Sequence, residues 1–135
     1  MISDYELLNI AKEASQINYA PYSKFNVGAC ALFQSSNFYK GSNIENSSYG
    51  LSLCAERNAI SNGISNGETV LIKIAIYSPN TKLCYPCGAC RQWIMEFGEN
   101  KNDDESVKII LEDKDNLIKI FTINELMPYC FKLQE

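Results

Sequence analysis

The chain has 135 residues, 46% of them hydrophobic and 21% charged, with a formal net charge of -4 and no histidine. This size and balance fit one globular domain over residues 1–135 with a sizeable core and exclude a disordered or fibrous chain. The acidic balance, with Lys and Arg scattered, excludes the basic face that nucleic acid needs, and the lack of histidine excludes every Ser-His-Asp triad, Cys-His dyad and His-bearing zinc site.

The opening MISDYELLNIAKEA has no basic end, apolar stretch or cleavage site of a secretory signal, and no later segment approaches about 18 consecutive apolar residues. The expectation is a cytoplasmic protein with no membrane partner. Leu7, Leu8, Ile10, Ala11, Ala14 and Ile17 recur at helical spacing between the candidate caps Ser3 and Asp4 and the breaker Pro21. FNVGACALFQ, from Phe25 to Gln34, reads as a buried strand that turns at SSN into a second strand from Phe38 to Ile44. Ser52 is a candidate cap for a helix through LCAERNAI that Gly63 ends.

TVLIKIAIY, from Thr69 to Tyr77, is β-branched and long enough for a central strand. Pro86 then precedes a helical GACRQWIMEF, and the polar GENKNDDES reads as an exposed loop. VKIILE and LIKIFT are two short strands, and INELMP is a last short helix that stops near Pro128. The order α-β-β-α-β-α-β-β-α implies an α/β fold, one sheet covered on both faces.

The chain has six cysteines, and Cys84, Cys87 and Cys90 form two overlapping CxxC pairs. In a reducing compartment such pairs more often bind metal or do redox work than form disulfides. Pro86 is favoured at or just before a helix start, so Cys87 and Cys90 fall in a first turn, where free N–H groups stabilise thiolates. Cys54, just after Ser52, falls in the first turn of another helix. Cys54, Cys87 and Cys90 can therefore hold one Zn2+ with a fourth position open. Glu56 lies two residues from Cys54, roughly 200° around a helix, so the two converge only beyond the helix end. There Glu56 stands near the open position as a proton shuttle and not a ligand. Arg57, three after Cys54, can offset the excess negative charge of three thiolates. The competing arrangement is a closed four-cysteine site that adds Cys84 and leaves no room for water. Cys30 and Cys130 read as ordinary free thiols.

The pieces CAE (Cys54, Ala55, Glu56) and PCGAC (Pro86 to Cys90) match the zinc-deaminase signature. Together with YAPYSKFNVGA, NIENSSYGLSLCAERNAI, PCGACRQ and ELMPYCF they make the chain resemble the small, homotetrameric cytidine deaminases over nearly its whole length. The resemblance implies a three-layer α/β/α fold with a mixed five-stranded sheet and one Zn2+ per subunit. It also implies hydrolytic deamination of free cytidine and 2'-deoxycytidine in pyrimidine salvage. It assigns the zinc to Cys54, Cys87 and Cys90, proton transfer to Glu56 and charge compensation to Arg57. It further places Asn43 and Glu45 at the ribose hydroxyls and Phe25 on the pyrimidine, with Ala55 also among the substrate contacts. Tyr49 would lie where subunits meet, and Phe131 would reach the site of an adjacent subunit, so that sites are shared. GENKNDDES is longer and more charged than the family's turn at that point. The alternatives are a deaminase of a modified cytosine nucleoside such as blasticidin S, or a non-catalytic domain with structural zinc.

Overall fold

The computed structural model describes residues 1–133. Helix α1 runs Asp4–Ser15, with Ser3 and Glu6 forming a reciprocal capping box that satisfies its first free N–H groups. It ends before Ile17, which is exposed, so the apolar spacing there does not continue the helix. Strand β1 (Gly28–Phe33) starts three residues later than the run from Phe25 suggests and is buried on both faces. β2 (Phe38–Ser42) returns alongside it, ending two residues before Ile44.

Helix α2 runs Ala55–Ser65, with Cys54 at its N-cap position. Ser52 is therefore not the cap. Leu53 instead pairs with Ile44 in an isolated antiparallel bridge, which holds Ser52 and Leu53 out of the helix. Gly63 does not end α2 but sits inside it, where a Cβ would come 2.2 Å from the Phe33 ring. β3 (Leu71–Tyr77), α3 (Gly88–Phe97), β4 (Lys108–Glu112), β5 (Ile118–Thr122) and α4 (Ile123–Leu126) complete the order. Turns occupy much of GENKNDDES, as the polar composition predicts.

The five strands form one mixed sheet in the order β2-β1-β3-β4-β5, parallel between β3 and β4 and antiparallel elsewhere. Alternation divides the core in two. Ala29, Ala31, Phe33, Ile74, Ile76, Ile109 and Leu111 pack with Ala59, Ile60 and Ile94 of α2 and α3 on one face. Cys30, Leu32, Ala75 and Ile110 pack with Leu7, Leu8 and Ala11 of α1 on the other. This is the three-layer α/β/α arrangement, and each fully buried Leu, Ile or Phe contributes about 1.5–3 kcal/mol. The register places Gly28 between Ser42 and Tyr77, so β1 starts where β2 and β3 end. β4 runs parallel to β3, which brings its end to the same edge. The loops that carry the candidate site all leave from that edge.

Candidate active site

Two helix starts meet there. α2 comes down close on β2 because Gly41 has no side chain: a Cβ would stand 2.3 Å from Ala59 N and 2.5 Å from Ala55 O. Asn58 Nδ2 donates to Ser42 O at 2.7 Å and locks the same contact. Cys54 and Cys87 occupy the N-cap positions of α2 and α3, one residue outside the first turns where the spacing puts them. Both are extended, at φ -75°, ψ 152° and φ -68°, ψ 172°, which turns their side chains toward the gap beyond the helix ends. Cys90, three residues on, is buried.

The three sulfurs lie within 4.8 Å of one another, with Cys54 Sγ to Cys87 Sγ at 4.0 Å and Cys87 Sγ to Cys90 Sγ at 3.6 Å. Tetrahedral Zn–S bonds of about 2.3 Å put sulfurs about 3.8 Å apart, so the spacing and the donor chemistry fit zinc. Arg57 donates from Nη2 to Cys54 Sγ at 3.6 Å and to Ser52 O at 3.2 Å. Its Nε is buried without a hydrogen-bond partner among the described residues. Hydrogen bonding from Cys90, helped by Arg57 against the opposing effect of burial, brings the Cys54 thiol down to about 5. Cys90 moves up, first because it shares its proton with Cys54 and then through burial. The Arg57 guanidinium beside the sulfur thus favours the thiolate form of Cys54.

Glu56 is 5% exposed and follows Cys54 by two residues. Burial pushes its carboxyl up to about 7, and the neighbouring Cys54 charge acts in the same direction. A carboxyl that changes protonation near neutral pH can both take and return a proton.

Phe25, Val27, Asn43, Glu45, Ser52, Leu53, Ala55 and Tyr85 join Cys54, Glu56, Cys84 and Cys87 around a cleft of about 270 Å3. Asn43 bonds the chain leading into β1 at both ends of its amide, accepting from Val27 N at 2.9 Å and donating to Phe25 O at 2.7 Å. The same amide that faces the cleft therefore also sets the Phe25 backbone. Glu45 accepts from Tyr22 N at 3.0 Å, from Ser23 N at 3.1 Å and from the Ser23 hydroxyl, which holds its carboxyl below the usual range.

Tyr49 and Phe131 do not join this cleft within the chain. Tyr49, 73% exposed, meets Tyr22 edge-on with ring centroids 5.8 Å apart. Phe131, 70% exposed, is tied to α3 where Gln92 Nε2 donates to its carbonyl at 3.1 Å. Cys84 is not among the clustered sulfurs; burial pushes its thiol up to about 12, and it walls the cleft instead. The sequence pattern gave no part to Val27, Leu53 or Tyr85 as wall residues. For Tyr85 a signal existed, an aromatic residue between two motif positions, outside any apolar period.

A model of the cytidine and deoxycytidylate deaminase zinc-binding region matches residues 1–102. The chain belongs to the cytidine deaminase family. It is 36% identical over 129 residues to the cytidine deaminase of Halalkalibacterium halodurans, covering 96% of this chain and 94% of that one. It is 41% identical over 125 residues to the cytidine deaminase of Mycobacterium tuberculosis, covering 93% and 86%. Among solved structures, the cytidine deaminase from Burkholderia pseudomallei superposes with a TM-score of 0.87 at 32% identity, covering 96% of this chain and 100% of that one. The cytidine deaminase from Mycobacterium tuberculosis superposes with a TM-score of 0.81 at 31% identity, covering 98% and 100%. The protein is an enzyme of this family, and its α/β fold with a mixed five-stranded sheet is the family's fold. No helix among the described residues is long and apolar enough to cross a membrane.

Proposed function

We propose that residues 1–135 act as one deaminase domain that hydrolyses cytidine and 2'-deoxycytidine to uridine and 2'-deoxyuridine, with release of ammonia. The observation that carries this reading is the cluster of three sulfurs, two of which, Cys54 and Cys87, line the cleft together with the buried Glu56. Cys54, Cys87 and Cys90 would hold one Zn2+, which when bound supplies Lewis-acid activation of water at neutral pH. Glu56 takes one proton from that water and delivers it to ring N3, then carries the second, from the hydroxyl formed at C4, to the departing amino group. The water oxygen replaces the amino nitrogen at C4, so cytidine and water give uridine and ammonia.

Phe25 packs on the pyrimidine, Ala55 borders it, and Asn43 and Glu45 take the ribose hydroxyls. The internal hydrogen bonds of Asn43 and Glu45 support this role, because they hold both groups in place before substrate arrives. A cavity of about 270 Å3, near the small end of small-molecule sites at about 300 Å3, suits a free nucleoside. The exposed Tyr49, Leu51 and Phe131 support assembly into a homotetramer in which Phe131 completes a neighbour's site. The setting would be cytoplasmic pyrimidine salvage.

The test follows ultraviolet absorbance with cytidine, deoxycytidine and blasticidin S offered separately, and sizes the same sample in solution. Turnover of the two ordinary nucleosides by a tetramer supports the proposal. Turnover of blasticidin S alone would overturn the substrate, and a fully active monomer would overturn the shared site.

A further inference from the structure

Cys87 has little to hold it. It sits at the N-cap of α3 without a side-chain cap hydrogen bond, and Cys87, Gly88 and Ala89 are all exposed. Packing, which fixes Cys90, cannot fix this residue. Two planar peptide groups flank its Cα, and their rotation about the two bonds to Cα is the only soft motion of the main chain there. The carbonyl after Cys87 is held by the ordinary main-chain bond of the first turn of α3, and the carbonyl before it by the Arg91 side chain. Arg91 Nε donates to Pro86 O at 2.8 Å, and Arg91 N donates to Cys87 O at 2.9 Å. With both planes held, the direction of the Cα–Cβ bond between them is set as well.

Arg91 is itself anchored, because its Nη1 donates to Leu126 O at 2.9 Å, at the end of α4. This geometry needs a planar fork that reaches two carbonyls along different edges. A lysine ammonium is a single point on a flexible stem and cannot span both. The arrangement parallels Arg57, which bonds a carbonyl and a sulfur beside Cys54. The Arg91 side chain, however, acts on the peptide group before Cys87 and not on the sulfur.

We propose that Arg91 is a positioning residue that sets the Cys87 thiol for metal capture: its side chain holds the peptide group before Cys87, while the helix's own first bond holds the one after it. The inference rests on the reading that Cys54, Cys87 and Cys90 hold zinc. A purely structural staple between α3 and α4 would lower stability without a specific effect on the metal. A positioning role changes metal retention beyond what the lost stability explains.

The experiment loads the full chain with zinc, counts zinc per chain, and measures the rate of zinc transfer to an excess of a coloured chelator alongside the thermal midpoint. Wild type, Arg91→Gln and Arg91→Lys are compared with Lys12→Met, which breaks the 2.6 Å pair with buried Glu112 on the α1 face of the sheet, opposite the face covered by α2 and α3. Both Arg91 variants should release zinc roughly 10–100-fold faster than wild type. Lys12→Met should release it at the wild-type rate despite a lowered midpoint. Should Arg91→Gln fail to fold, Arg91→Lys keeps the cation and carries the same two outcomes. Wild-type release rates in the Arg91 variants, or equal acceleration in Lys12→Met at a matched midpoint, would overturn the inference and leave the zinc reading standing. A wild type that takes up no zinc would overturn both.

Discussion

The starts of α2 and α3 place a cysteine in the same position by different means. At α2 the backbone is pressed against β2 at Gly41, and Ala55 and Glu56 are buried within two residues of Cys54. At α3 the first turn is exposed, and the side-chain hydrogen bond from Arg91 to Pro86 O stands where packing stands at α2. The difference matches the work proposed for each. The Glu56 side needs a dry, low-dielectric setting that raises a carboxyl's proton affinity, whereas the Cys87 side needs access to solvent for the metal and the substrate. Burial at α2 and hydrogen bonding at α3 each supply rigidity without removing what the other side requires.

The largest expected effect comes from removing a sulfur on the packed side. Cys54→Ala should leave less than stoichiometric zinc and activity at background, read by metal analysis beside the ultraviolet assay. If it retains full zinc, the three-sulfur site is wrong. Next comes Arg57→Gln, which leaves the thiolates uncompensated. Its zinc affinity should fall roughly 10–100-fold in a chelator competition, and an unchanged affinity would make Arg57 a bystander.

Gly41→Ala probes the packing itself. Its new Cβ must displace the α2 backbone, so the unfolding free energy should drop by about 1–3 kcal/mol in a denaturant titration. A neutral result would mean that α2 can shift without cost and that packing does not hold Cys54. The smallest effect belongs to Cys84→Ser, which should keep both zinc and turnover because Cys84 lies outside the sulfur cluster. Loss of zinc comparable to a Cys87 substitution would restore the closed four-cysteine site.

Much of this site is legible in the sequence because metal chemistry admits few residue types. With no histidine available, Cys54, Cys87 and Cys90 stand out by spacing and by their proximity to helix starts. The helix starts themselves shift by one or two residues, because Ser52 is the better cap by type, yet Leu53 is drawn into a bridge with Ile44 and carries Ser52 with it. That pairing is a contact between distant segments which no local pattern records. Arg91 is hidden for the same reason, since in sequence it reads as one more charge on a helix and only its reach to Pro86 and Leu126 reveals a role. Tyr49 and Phe131 lie at the surface of the single chain, and only the proposed homotetramer would give them a part in the site.

The central claim is that Glu56 moves protons beside a metal it does not bind. The measurement that tests it most directly is the cytidine turnover and zinc content of Glu56→Gln against wild type, at equal protein concentration. The account predicts one zinc per chain in both proteins, with kcat lower by roughly 10²–10⁴-fold in the variant. Wild-type turnover by a zinc-loaded Glu56→Gln protein would contradict it.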